Sequence, residues 1–173
     1  VIKSVYVTER PVQRVALVVF SSNTSLAGGF NSNIAKQLWH TVEEYKSLGK
    51  ENILIYPVGK KVEEEVRKHG FEPQGSFQEL ADKPSYATAL QLTRDLMDLF
   101  KSGKADKVEF IFYHFKTVGS QVLIRQQYLP IQLDKPDERT AAKAAPIDYI
   151  VEPSIPEFIT NLLPQVLELN LYT

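Results

Sequence analysis

Cysteine is absent from the chain, which removes disulfides, thiolate metal sites and cysteine nucleophiles at once. That absence fits a reducing compartment. Histidine is scarce: His40, His69 and His114 are the only three, and no two stand at the i, i+4 spacing of a metal pair. An excess of one charge is missing too. The 20 Lys and Arg balance 21 Asp and Glu, so no net field draws the chain onto nucleic acid or anionic lipid. Long apolar runs are lacking. The longest, around residues 15–20 and 110–115, are strand length, whereas a bilayer span needs about 20 residues. No signal-peptide pattern opens the sequence. With 173 residues the chain suits one domain with a short extension. Val1 is not a natural start, and the expectation is a piece of a longer protein.

What is present is an alternation of two hydrophobic periods. Residues 14–20 form a continuous, β-branched apolar run, as a strand covered on both faces requires. From Phe30 onward Ile34, Leu38, Val42, Tyr45 and Leu48 fall three or four apart, one face of a helix beginning near Asn31 and ending at Gly49, with Asn31 or Asn33 as its cap. Residues 52–58 read as a second buried strand and 59–69 as a short helix with Val62 and Val66 inward. A weak strand is expected over 71–77, compromised by Pro73 and Gly75. A strong helix follows over 85–101, with Pro84 before it and Gly103 after it. Residues 107–116 and 121–129 are strands joined tightly enough to be antiparallel. Residues 133–146 are a polar loop, and 155–171 a helix carrying Ile155, Ile159, Leu162, Val166 and Leu169 at near-heptad spacing, with Pro164 inside it. The N-terminal ten residues look strand-like, with Val5 and Val7 alternating with polar neighbours. This order predicts a three-layer α/β/α fold: a mostly parallel five-stranded sheet with an antiparallel edge strand, plus a truncated C-terminal helix.

The loop between the first strand and the first helix, with Asn23, Thr24, Gly28 and Gly29, is where a nucleotide- or phosphate-binding enzyme would hold an anion. The pattern falls short of that chemistry. A dinucleotide fingerprint needs three spaced glycines and a phosphate-cradling loop ends in Gly-Lys-Ser/Thr; neither is present, and no Lys or Arg lies between Arg14 and Lys36. The plainer reading makes Gly28, Gly29 and Asn31 a structural turn into the helix. The carboxylate runs Glu43-Glu44 and Glu63-Glu64-Glu65 lie on polar helix faces, and Ser21, Ser22 and Ser25 lack a nucleophile-elbow motif. No catalytic residue, metal site or cofactor is expected from these patterns. A general protein-interaction module remains an open alternative at this point.

Four stretches, in order, carry a resemblance. Residues 26–33, Leu-Ala-Gly-Gly-Phe-Asn-Ser-Asn, resemble the signature after the first strand in the gamma subunits of F-type ATP synthases. Residues 115–121 resemble that family's strand-turn segment with its Ser-Gln pair, and 128–131 its Leu-Pro strand end. Residues 148–153 with 162–168 and Leu171-Tyr172 resemble the approach to its long C-terminal helix. One departure stands out: the family has Ser-Asp-Arg/Lys-Gly where this chain has Ser22-Asn23-Thr24-Ser25, so an acidic and a basic group are missing. The family's long N-terminal helix is absent and its C-terminal helix stops at Thr173.

The resemblance implies a globular domain over 1–153 and the start of a coiled-coil shaft helix over 154–173. It implies a non-catalytic central-stalk rotor subunit that passes rotation between the membrane c ring and the catalytic ring of alpha and beta subunits during proton-driven ATP synthesis. The implied partners are beta and alpha, epsilon and the c ring, with no nucleic acid and no direct membrane insertion. The implied location is peripheral, on the cytoplasmic side of the bacterial inner membrane. By the same analogy Ser22, Asn23, Thr24 and Ser25 face beta near the shaft, while Gln127, Tyr128, Leu129 and the 134–139 loop face the c ring. Tyr128 reads equally as an interface anchor or as a residue capping the core.

Overall fold

The computed structural model describes residues 5–21, 28–75, 77–117, 120–132 and 155–171. Its centre is β1 (Val15–Phe20), all six residues of which are buried. Six consecutive apolar residues can be accommodated only where helices cover both sheet faces. β1 pairs in parallel with β2 (Ile53–Val58) on one side and β3 (Lys107–Thr117) on the other, and β3 pairs antiparallel with β4 (Ser120–Leu129). The strand order is β2-β1-β3-β4. Pro57 is tolerated in β2 because that strand lies at a sheet edge, where its missing N–H breaks no ladder.

Side chains alternate across this sheet and build two cores. On one face Ala16, Val18, Phe20, Val108, Phe110 and Phe112 pack against α4 (Tyr86–Lys101) and α5 (Ile155–Leu171). On the other, Val15, Leu17, Val19, Ile53, Ile55 and Ile111 meet Ile34 and Leu38 of α1 (Gly28–Glu44) and Val62 and Val66 of α2 (Lys60–Lys68). The three layers, the parallel strands and the antiparallel β4 match the expected class. The sheet has four strands among the described residues, not five.

Among its described residues, the stretch expected as the fifth strand, 71–77, forms no ladder. Its backbone touches β2 through a single bond, Gln74 N–H to Ile55 O at 2.8 Å. Pro73 supplies no donor and Gly75 turns the chain at φ 70°, so pairing cannot propagate. A short helix, α3 (Gln78–Asp82), follows it and buries Leu80. The strand-like start is also corrected: Val5–Val7 is a 3-10 turn that buries Tyr6 and exposes Val5, the reverse of the expected alternation. Tyr6 accepts a bond from Ile131 N–H at 2.7 Å and lays its ring against Phe100.

The start of α4 is held by a reciprocal cap. Ser85 Oγ accepts the Thr88 N–H, and Thr88 Oγ1 accepts the Ser85 N–H. Ser85→Ala is expected to cost roughly 1 kcal/mol. A calorimetric melting temperature lowered by about 2–4 °C checks this; no change would mean that packing alone holds the helix start.

In α5, Ile159, Leu162, Leu163 and Val166 are buried in the same cluster as α4, β3 and β4, while Pro164 is exposed. The ring that interrupts the helical hydrogen bonding therefore stands on the solvent side, clear of that core.

Candidate functional site

In a doubly wound sheet, ligands bind at the carboxyl ends of the strands, where successive connections leave to opposite faces. Here that place lies between β1 and β3, and among the described residues α1 and β3 meet beside it. Phe30 of α1 meets Tyr113 of β3 edge-on, centroids 4.9 Å apart, and Asn33 Nδ2 donates to Tyr113 Oη at 2.9 Å. Beside it, Ser21 Oγ accepts the Val62 N–H at 3.0 Å, so a first-turn amide of α2 already has a protein partner. Gly59 makes that approach possible: it sits at φ 124°, and a Cβ there would come within 2.4 Å of the Ser21 carbonyl oxygen.

The glycine pair does not form the expected turn. α1 begins at Gly28, about three residues earlier than expected, so Gly28, Gly29 and Asn31 lie inside its first turn. Gly29 is not among the positive-φ residues. Asn31 and Asn33 are accordingly helix-interior residues rather than caps. Ser22, Asn23, Thr24 and Ser25 lie outside the described residues.

The residues expected at a partner surface on β4 are also placed differently. Tyr128 and Leu129 are both 0 % exposed. The ladder runs Val108↔Leu129 and then Glu109↔Gln127, leaving Tyr128 as an extra residue. Such a bulge re-aims side chains, and here it sends Tyr128 and Leu129 into one cluster. The Tyr128 ring stacks on Phe110 at 4.3 Å and 12°. Both residues are core in this chain. Gln127 is half-buried and donates through Nε2 to Pro130 O at 2.7 Å.

What the structure gathers instead is a hub around the β3–β4 hairpin. β1 accompanies β3 only as far as Ile111, so the outer half of the hairpin extends past the parallel sheet. Two strands alone are marginal in water, and helices grip this arm on both faces. Consecutive β3 side chains point to opposite sides: Tyr113 meets α1, and His114 pairs with Glu157 of α5. At the inner end Glu109, 4 % exposed, accepts from Arg125 Nε at 2.7 Å and Nη2 at 3.2 Å. Arg125 also pairs with Glu44 of α1, and Tyr45 Oη donates to Glu109. A buried carboxylate is tolerable only with this many partners. Glu109 inside an apolar strand was the readable signal for such a network, and simple alternation had hidden it.

The network sets the protonation of its members. Burial, then the hydrogen bond to Glu109, pushes the Tyr45 phenol well above its ordinary value; the Glu109 hydrogen bond, with Glu44 beyond it, holds Arg125 charged. A raised folded-state value means the Tyr45 contribution is fully present below about pH 10 and is lost as pH rises through the folded value. In an alkaline absorbance titration, Tyr45 is expected to stay protonated after exposed tyrosines have ionised, and Tyr45→Phe to remove that late step. A Tyr45→Phe curve superimposing on the parent would break this assignment. Among the described residues no cluster of three or more His, Asp or Glu is arranged to hold a metal ion, and no helix is long and apolar enough to cross a membrane.

Comparison with known proteins gives the family. The family model described as ATP synthase matches residues 2–173. This chain belongs to the ATP synthase family. Its relatives include the ATP synthase gamma chain of Bacteroides fragilis, 52% identical over 172 residues, which cover 99% of this chain and 59% of that one. The gamma chain of Bacteroides thetaiotaomicron is 49% identical over 180 residues, covering 99% and 60%. A solved chain from the central stalk and c-ring of the Tetrahymena thermophila mitochondrial ATP synthase aligns with a TM-score of 0.52 at 19% identity, covering 94% of this chain and 70% of that one, a likeness of fold. The chain thus spans about three fifths of the curated gamma chains it matches. Membership of this family gives the phosphate-binding alternative no support.

Proposed function

We propose that this chain is the globular part of an ATP synthase gamma subunit, a central-stalk rotor component with no active site of its own. The match of the family model across residues 2–173, with gamma chains as relatives, carries the reading. In this reading nucleotide chemistry belongs to alpha and beta, and the chain transmits rotation from the c ring as a coupling free energy between distant sites. A close-packed two-faced core suits a body that must not deform under load. The segment 154–173 is the root of the shaft helix, Ser22–Ser25 face beta, and epsilon and the c ring hold the globular body. The complex sits peripherally on the cytoplasmic side of the bacterial inner membrane.

The test is recovery of the assembly. Affinity purification through a tag on the complete gamma chain carrying this sequence is expected to bring down alpha, beta, epsilon and c subunits in one complex. Recovery of the tagged chain alone from well-solubilised membranes would count against the assignment. Calorimetric titration of ATP, NAD and phosphate into the 173-residue chain is expected to show no micromolar binding.

A further inference from the structure

We propose that Glu109, Arg125, Glu44 and Tyr45 form a geometric lock: the cluster fixes the angle between α1 and the β3–β4 hairpin and contributes little to stability. The lock rests on the observed contacts; its part in transmitting rotation rests on the rotor reading above.

The surroundings of Glu109 suit an apolar side chain. It lies in register with Leu17 of β1, on the sheet face shared with Val15, Leu17 and Ile111. Placing a carboxylate there strips it and part of a guanidinium of water, and their mutual attraction often recovers no more than that loss. Buried charges exchanged together for apolar residues of like volume commonly leave stability unchanged or raised, whereas removing one partner alone is damaging. Stability is therefore a poor account of why these four groups converge.

Direction is a better one. Ile34 and Leu38 hold α1 to the sheet by apolar packing, which is nondirectional. The planar fork of Arg125 is directional: it gives Glu109 two bonds, from Nε at 2.7 Å and Nη2 at 3.2 Å, while Nη1 turns to Glu44. Arg125 stands opposite Ile111 in the ladder, so it reaches Glu109 diagonally across the strand pair. Glu44 is the last residue of α1, and Tyr45 beside it donates to the same Glu109. These contacts close a ring over the end of α1, β3 and β4. Near its start, α1 meets Tyr113 of β3 through Phe30 and Asn33. A helix of 17 residues, about 25 Å long, held near both ends keeps one direction.

The hairpin is shared between the two faces. On the far side α5 packs against it, with the Ile159 carbonyl near the Tyr128 hydroxyl. Through β3 and β4 the lock thus joins α1 to the helix that the rotor reading makes the root of the shaft.

Two variants separate direction from stability. Arg125→Met alone leaves Glu109 buried without its main partner and should lower the urea midpoint of this chain by about 1–2 M. Glu109→Leu combined with Arg125→Met removes both buried charges and leaves Glu44, its side chain 46 % exposed, to water; the midpoint should return to within about 0.5 M of the parent. The chain has no cysteine, so spin labels can be placed uniquely at two exposed positions, through Lys36→Cys on α1 and Gln121→Cys on β4. Pulsed dipolar spectroscopy should give one narrow distance in the parent and a distribution about twice as wide in the folded double variant. A double variant as unstable as Arg125→Met would make the cluster a stabilising element. A stable double variant with the parent's narrow distance would leave the angle to packing. Either result overturns the lock. Carried in the complete gamma chain within the assembled complex, the double variant should pump protons at least about two-fold less for each ATP hydrolysed. An unchanged ratio would overturn its part in transmission. A parent chain that recovers no alpha or beta strikes the rotor reading and leaves the lock to the first two measurements.

Discussion

Replacing Asp106 by alanine is expected to lower the stability of the chain by about 2–4 kcal/mol in urea denaturation, the midpoint moving while the slope stays fixed. Asp106 is 9 % exposed and stands at the turn between α4 and β3. Its carboxylate accepts Arg10 Nε at 2.7 Å and the backbone N–H groups of Gln13 at 2.9 Å and Arg14 at 3.1 Å. Arg10 in turn donates through Nη2 to the carbonyls of Phe100 and Ala105, both at 2.7 Å, and lies over the Phe100 ring. One side chain thus closes the approach to β1, the end of α4 and the start of β3. Alanine leaves two amides and a guanidinium without their acceptor. A loss under about 1 kcal/mol would show that the knot is incidental.

The same residue predicts an acid limb. Burial pushes the Asp106 carboxyl up, but the bonds from Arg10, Gln13 and Arg14 outweigh it and hold the value below the ordinary carboxylate range. A depressed folded-state value means the contribution is present above the unfolded carboxylate's value, near 3.9, and is lost as pH falls through the folded one. The stability gap between the parent and Asp106→Asn should therefore close below about pH 4. A gap that persists undiminished at lower pH would contradict the sign.

Tyr128→Ala is expected to cost about 3–5 kcal/mol, while Tyr128→Phe costs on the order of 1 kcal/mol or less. The ring is fully buried, stacks on Phe110, and brings its hydroxyl to 3.5 Å from the Ile159 carbonyl of α5. Alanine would open a cavity where β3, β4 and α5 meet. A bond that long is weak, so its loss in the phenylalanine variant weighs little beside the ring. The comparison also separates two roles for this residue. A surface anchor would leave the isolated chain stable when truncated and weaken assembly only; a buried ring predicts a loss of stability in the isolated chain. An alanine variant as stable as the parent would return Tyr128 to the surface.

The division between what could and could not be read from the residues follows from range. β1 was legible because six adjacent apolar side chains admit one explanation. The 86–101 helix was legible because Pro84, Ser85 and Gly103 bracket a wide apolar face. Both are local facts. Tyr128 was not legible, because its direction depends on a bulge created by pairing with β3, and a one-residue slip turns a side chain to the other face. The Gly28 start of α1 was masked by glycine's ordinary association with turns. The ties of Arg125 to Glu44 and of His114 to Glu157 join residues 81 and 43 positions apart, beyond any periodicity window. The contact of α1 with β3 needed Phe30 and Tyr113 to be seen together, 83 positions apart by their numbers.

The hairpin that outruns the sheet behaves as a cantilever. A beam fixed at one end carries its greatest bending moment at the root, and Glu109, Arg125 and Glu44 stand at that root. Force applied along the outer length arrives there multiplied by distance, less what α1 and α5 take up on the way. The stiffness of the arm is therefore shared between the charged cluster at its base, which ties it to α1, and the contacts of Tyr113 and His114 farther out, so weakening the base would shift load onto those two outer holds.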